Sequence, residues 1–422
     1  MSLPSRFWSC IIALSLFNSC ADRDRINPLD PRNPETLGRP TGFKVLSIQD
    51  TVFLNWDLIE LRDLVGYRIY RKKQGEPGLS LYKLVDPQSN SFKDLDVEFG
   101  IDFTYQLSAL GSSYEGSRSD SLTIEPGPTF NWAADNATRQ IIKLTHDAQH
   151  PILRASGFFT IVDLEPNPLT GEVWVLERFN DFIGNAIRVS KEGRLLRPTI
   201  PFTGPVDAAL HITSKSLWVA DFEDGVVAKL DSIGNRLLAI TRFARPIAVD
   251  VDQRDGACWV VDAMTERIAK INSDGVQIQE ASFQFLAPQS LAVNSTGGSV
   301  WVADSTRVVK LTENGDFELT LSAPFNFASE LDVNEATGEV WVIDRSASKV
   351  SKFFADGQKL IDVDGFARPE DLSVNFFDHG CLVADTQNQR LVKLTSEGEI
   401  AGIFSDIDLP LVVRVQNQVG SQ

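Results

Sequence analysis

A short phrase returns along this chain at a nearly constant interval: Trp132-Ala-Ala-Asp135, Trp174-Val-Leu-Glu177, Trp218-Val-Ala-Asp221, Trp259-Val-Val-Asp262, Trp301-Val-Ala-Asp304, Trp341-Val-Ile-Asp344 and Leu382-Val-Ala-Asp385. The leading residues stand 42, 44, 41, 42, 40 and 41 positions apart. A fixed period near forty means that one supersecondary unit has been copied, and that the copies bury their apolar faces against one another.

Each copy carries more than the tryptophan strand. Thirteen residues upstream of it a second segment begins, with proline at Pro205, Pro246, Pro288 and Pro369 and with Ile161 and Ala328 at the equivalent places. Apolar residues alternate along it, as in Pro246-Ile-Ala-Val249-Asp-Val251, which is the period-two pattern of a strand. Downstream, a third apolar run contains a basic residue, as in Arg267-Ile-Ala-Lys270-Ile271 and Arg390-Leu-Val-Lys393-Leu394, and leads into a turn such as Ser273-Asp274-Gly275 or Glu313-Asn314-Gly315. Asp-Gly and Asn-Gly supply the positive backbone angles of tight hairpins. A fourth strand is predicted after each turn, and four short antiparallel strands per unit is the content of one propeller blade.

The first tryptophan strand, at Trp132, has no proline strand before it, whereas Pro410-Leu-Val-Val413-Arg-Val415 has the proline pattern and no tryptophan strand after it. The carboxy-terminal strand is therefore expected to complete the first blade, which removes free sheet edges. The expected fold is all-β: a seven-bladed β-propeller over 128–418, six-bladed if one unit is degenerate. The units resemble NHL repeats, with their proline strand, aromatic-Val-x-Asp, basic strand and Asp-Gly turn. That resemblance implies a propeller and leaves activity open, since such propellers include binding scaffolds, lyases and hydrolases.

Ahead of the propeller, Met1 to Cys20 has Arg6, an apolar run Ile11-Ile-Ala-Leu-Ser-Leu-Phe17 and a Ser-Cys ending. These are the zones of an export signal, too short for a stable span. The ending resembles a bacterial lipobox, which implies lipidation of Cys20; plain secretion is the alternative, because Asn18 departs from the lipobox pattern. Residues 21–40, rich in proline and asparagine, are expected to be an extended tether. Residues 41–126 carry alternating runs at Thr51-Val-Phe-Leu-Asn-Trp56, Gly66-Tyr-Arg-Ile-Tyr-Arg71 and Phe103-Thr-Tyr105-Gln-Leu-Ser-Ala109. They resemble a fibronectin type III domain, with Trp56, Tyr67, Tyr70, Tyr105, Leu107 and Ala109 at its aromatic and small positions, which implies a β-sandwich preceding the propeller.

A net charge of -17 argues against a nucleic-acid partner. Cys258 and Cys381, just before the tryptophan position three blades apart, are expected to be too distant to bridge. The four histidines, His146, His150, His211 and His379, form no metal-binding motif, and no metal or cofactor is expected. The acidic residue of each repeat, from Asp135 to Asp385, is expected to be structural, because a turn-bonding carboxylate is needed in every blade whereas a catalytic one is needed once.

Candidate function therefore lies where the copies differ. Two residues after the proline position stand Asp163, Asp207, Ala248, Ser290, Glu330, Asp371 and Val412, and just before it stand Arg245 and Arg368. In this register Asp163, Asp207, Glu330 and Asp371, with the two arginines, rim one mouth that could hold a sugar or peptide. The plainer alternative pairs Arg368 with Asp371 and Arg245 with Asp207 as local ion pairs. A longer second unit enlarges a hairpin carrying Arg178, Phe179 and Phe182, a candidate contact patch. The reading is an exported, envelope-attached lipoprotein, lipid-anchored at the outer membrane or cell surface, that binds an extracytoplasmic protein or glycan and touches membrane through its anchor only. The alternative is a propeller lyase or glycan-active enzyme with Asp207 or Glu330 as general base.

Overall fold

In the computed structural model, residues 27–180, 183–321 and 323–417 are described. The signal segment, Cys20 and Phe182 lie outside them. Two compact units emerge, one centred on residues 52–96 and 101–124 and the other on residues from 125 onward.

The smaller unit is a pair of antiparallel sheets. One has three strands, Lys44–Ile48, Thr51–Asn55 and Ser91–Asp94, and the other has four, with Leu64–Lys73 and Phe103–Gly111 at its centre. Alternation sends Val52 and Leu54 inward from the first sheet and Tyr67, Ile69, Tyr105 and Leu107 inward from the second, all fully buried. Trp56 meets Tyr67 at 5.2 Å between ring centroids. Residues 27–40 are not extended as expected but folded into turns. The side chains of Asn27, Asp30 and Asn33 accept bonds from the backbone of Leu29, Arg32 and Glu35, which is the local competition that asparagine and aspartate offer. Thr36 then donates to the Pro28 carbonyl at 2.6 Å, and Leu29 is buried.

The larger unit contains, among the described residues, seven four-stranded antiparallel sheets. Six are built from consecutive strands. The seventh joins Pro410–Gln416 to Phe130–Asp135, with Pro410 opposite Asp135 and Arg414 opposite Trp132, so the chain's end supplies the innermost strand of its first blade.

The repeated residues explain how the blades are held. Each tryptophan, and Leu382 in the last unit, lies in a core shared with the following blade: Trp218 packs with Val249, Val251 and Val260, Trp259 with Leu291 and Val293, and Leu382 closes the ring against Ile142 and Val413. The basic residue of the third strand stands opposite the tryptophan position in every blade, as Lys229 does to Trp218 and Lys352 to Trp341. Where the pair is lysine and tryptophan the ammonium lies over the indole, 5.0 Å away for Lys229, and in four blades the lysine donates to a hairpin carbonyl of the next blade, Lys229 to Ser273, Lys310 to Ala355, Lys352 to Ser396 and Lys393 to His146.

The repeated carboxylate accepts from the backbone of the loop that enters its own blade. Asp221 takes the amides of Thr203 and Gly204, Asp262 those of Ala244 and Arg245, Asp304 those of Leu286 and Ala287, Asp344 those of Asn326 and Phe327, and Asp135 that of Leu409 across the closure. Glu177 and Asp385 each hold one such amide, of Phe159 and Ala367. These loops cannot satisfy their own amides, so the acid recurs wherever the loop does.

Candidate functional site: the central channel and the hairpin face

The innermost strands surround a channel of about 550 Å³. Each shifts register by one residue just after its proline position, in all seven blades. The shift turns the second residue after that position, and the fourth, toward the channel and the neighbouring blade. Neighbouring inner strands do not pair, which leaves their facing amides without a sheet partner, and side chains at these two positions supply one. Asp163 accepts from the Ala208 amide (2.9 Å), Asp207 from Val249 (2.7 Å), Asp250 from Val293 (2.7 Å), Asp332 from Val374 (2.8 Å) and Asp371 from Val413 (2.8 Å). Between the fifth and sixth blades Ser290 donates to Glu330. Between the first and second, Arg414 reaches Asp163 (2.6 Å) and Glu165 (3.4 Å) while also holding Asp371 (2.8 Å). Every junction between blades is bridged at the inner strands.

The channel is therefore acidic around one guanidinium. Burial, and behind it repulsion from Asp371, pushes the Glu330 carboxyl up to about 8. Burial likewise raises Asp250 to about 7, and Asp332 and Asp371 to about 6, against the amide bonds that favour their ionised forms. Glu165 and Asp207 are raised well above the ordinary carboxylate range by burial and by Asp163. Burial alone would lower Arg414, but Asp163, Asp371 and Glu165 hold it well above its usual value.

Of the residues predicted to rim a mouth, Asp207, Glu330 and Asp371 line the channel, and Asp163 sits buried beside them under Arg414. Arg245 and Arg368 do not join them. Neither makes the ion pair that the plainer sequence alternative gave it: the Arg245 guanidinium lies 4.0 Å over the Phe222 ring, and Arg368 bonds Glu370 at 2.5 Å, a carboxylate it shares with Arg345. Both arginines sit on loops just before the prolines and do not line the channel, although Glu370, the partner of Arg368, does; the predicted acids lie on the bulged strands. The cation that does enter the channel, Arg414, went unremarked in the sequence, although its place four residues after Pro410 gives it the same alternation as Asp250 and Asp332.

The face formed by the entering loops and the hairpins after the tryptophan strands is chemically different. Phe179, on the lengthened hairpin, stacks edge-on against Phe159 with centroids 4.2 Å apart, and the Arg139 guanidinium lies 5.8 Å over Phe159. Phe159, Phe179 and Ile183 remain 42%, 40% and 53% exposed. The buried Nε of Arg178 finds no acceptor among the described residues. Among those residues, no group of three or more histidine, cysteine or acidic side chains is arranged to hold a metal ion, and Cys258 and Cys381 are buried free thiols.

No family model matches the chain, and no curated protein does. Solved structures resemble it in fold. A functionally unknown protein from Desulfotomaculum acetoxidans aligns with a TM-score of 0.60 at 12% identity, over 69% of this chain and 99% of that chain. The structure of U3-55K aligns with a TM-score of 0.53 at 9% identity, over 60% and 84%. A streptogramin B lyase structure aligns with a TM-score of 0.49 at 14% identity, over 59% and 83%. With its seven four-stranded sheets closed by the last strand, the larger unit of this chain is a β-propeller.

Proposed function

We propose that the chain is an envelope-attached binding lipoprotein, anchored through Cys20, in which a fibronectin type III-like unit acts as a spacer and an NHL-like propeller recognises an extracytoplasmic protein or glycan. The observation that carries this reading is the division of labour in the propeller. The channel carboxylates are committed to neighbouring backbone amides and to Arg414, while the hairpin face offers apolar side chains beside arginines that lack carboxylate partners among the described residues. Aromatic residues and arginine are the types enriched at binding interfaces. The smaller unit's three-stranded and four-stranded sheets, with Trp56 against Tyr67, support the fibronectin type III-like reading of that unit.

The raised carboxylates motivate a second reading, proton transfer by Glu330 or Asp207 on a bound glycan. The two readings part in one experiment. Full-length protein and an Arg245→Ala/Arg368→Ala variant are used to retain partners from native envelope extract, alongside a sugar panel scored by melting shift. The binding reading expects retained species that the double variant loses; identical retention removes the face from consideration. A sugar that shifts melting of the parent but not of Glu330→Gln would favour the enzyme.

A further inference from the structure

Resting on the proposal that the hairpin face binds, we infer that its seam between the first two blades is a docking site for an acidic polypeptide segment bearing an apolar side chain. The seam is a preformed platform. The side chain of Asn136, in the first blade, accepts from the Ile161 amide at 2.6 Å and donates to the Ile161 carbonyl at 2.8 Å, and Glu177 of the second blade fixes the Phe159 amide at 2.8 Å. Phe159 and Phe179 are thus held in place while partly exposed, so burying them costs little additional order.

Charge complementarity selects the partner. At the equivalent hairpins of three other blades the arginine is already taken by a carboxylate, as Arg307 by Asp304, Arg345 by Glu370 and Arg390 by Asp385. Arg139 has no carboxylate partner among the described residues and lies over Phe159 instead. A guanidinium held over an aromatic ring keeps its N–H edge available for bidentate bonding to a carboxylate. Sugar stacking needs a flat open aromatic face, whereas Phe159 and Phe179 meet edge-on at 4.2 Å and present an angled apolar pair. An acidic segment with an apolar anchor fits both features at once.

The test uses full-length protein and fluorescently labelled short peptides that alternate glutamate with phenylalanine, lysine with phenylalanine, or glutamate with alanine. The glutamate–phenylalanine peptide is expected to bind best, with affinity falling as salt rises from about 0.05 to 0.5 M. Phe179→Ala and Arg139→Glu should each weaken it about tenfold, the loss typical of a central contact. Equal binding of the lysine–phenylalanine peptide, or less than about a twofold change in both variants, overturns the inference. The unmodified protein's peptide preference and salt response decide the matter even where a variant folds poorly. Failure here, with envelope retention still lost in Arg245→Ala/Arg368→Ala, would sink this site alone, whereas failure of both would sink the binding reading too.

Discussion

Replacing Arg414 by methionine should be the most damaging single change at the propeller's axis. Its guanidinium is the only cation lining the channel among the described residues. It lies 2.6 Å from Asp163, 2.8 Å from Asp371 and 3.4 Å from Glu165, and its own strand is the one that closes the ring. Methionine fills a similar volume, so the main loss is electrostatic: three carboxylates would face one another with no compensating charge. Removing one partner of a buried pair costs about 3–5 kcal/mol. At about 2 °C per kcal/mol for a domain of this size, Tm should fall by roughly 6–10 °C at pH 7.5. The deficit has a pH signature. Asp371, already raised to about 6, rises further without the arginine, so at pH 5 it takes a proton and the repulsion relaxes. Calorimetry of the parent and the variant at both pH values is the assay. The reasoning fails if the variant melts within about 2 °C of the parent at pH 7.5, or if its deficit is the same at pH 5.

The parent itself should lose stability as pH rises. Glu330 and Asp250 are raised from 4.5 and 3.8 to about 8 and about 7, so their contribution is complete below the lower values and is lost as pH passes through the upper ones; a Tm that climbs between pH 5 and 8.5 would contradict this. Asp304→Ala leaves the amides of Leu286 and Ala287 unpaired and should destabilise by about 2 kcal/mol, read from denaturant midpoints, whereas Glu223→Ala, exposed on the same face, should change stability by less than about 0.5 kcal/mol. Cys20→Ser should move the protein from the membrane fraction to the soluble one, and unchanged fractionation would remove the lipid anchor.

The fold was legible because repetition multiplies a weak signal. No single Trp-Val-x-Asp specifies a blade, but seven at a constant step do, and the orphan proline strand at Pro410 identified the closure. The roles of the repeated tryptophan and carboxylate were legible for the same reason. The channel was only half legible. Counting two residues past the proline found Asp163, Asp207, Glu330 and Asp371, but stopping there hid Glu165, Asp250, Asp332 and Arg414, which the period-two alternation places on the same side. The contact of Arg245 could not be read, because its ring partner Phe222 lies 23 residues earlier, in the preceding blade. Arg368 pairs only two residues on, with Glu370 rather than Asp371, and the choice between these adjacent acids is set by the register shift after Pro369, which sequence spacing does not show. Residues 27–40 misled through composition: proline and asparagine read as extended, but asparagine and aspartate side chains that cap their own backbone make turns instead.

The alternation of bridging positions bears on what the face can bind. Junctions between blades use the second position at Asp207 and Asp371 and the fourth at Asp250 and Asp332, so the acids are spread through the depth of the channel. Each is buried enough to hold its proton more firmly than a surface carboxylate. With Glu330 raised to about 8 and Asp250 to about 7, part of the formal charge of -17 is not carried at neutral pH, and the part that goes uncharged sits at the axis. Arg414 neutralises more of it there. An acidic partner approaching the hairpin face thus meets a weaker repulsive field than composition implies, and at the seam it meets Arg139, whose charge acts within a Debye length of about 8 Å at physiological salt. Raising pH from 7 to 8.5 carries Glu330 through its titration and adds negative charge at the axis. The acidic peptide's association rate should therefore fall across that range while its sensitivity to Phe179→Ala is unchanged. A rate that held constant would mean that the channel's charge is not felt at the face.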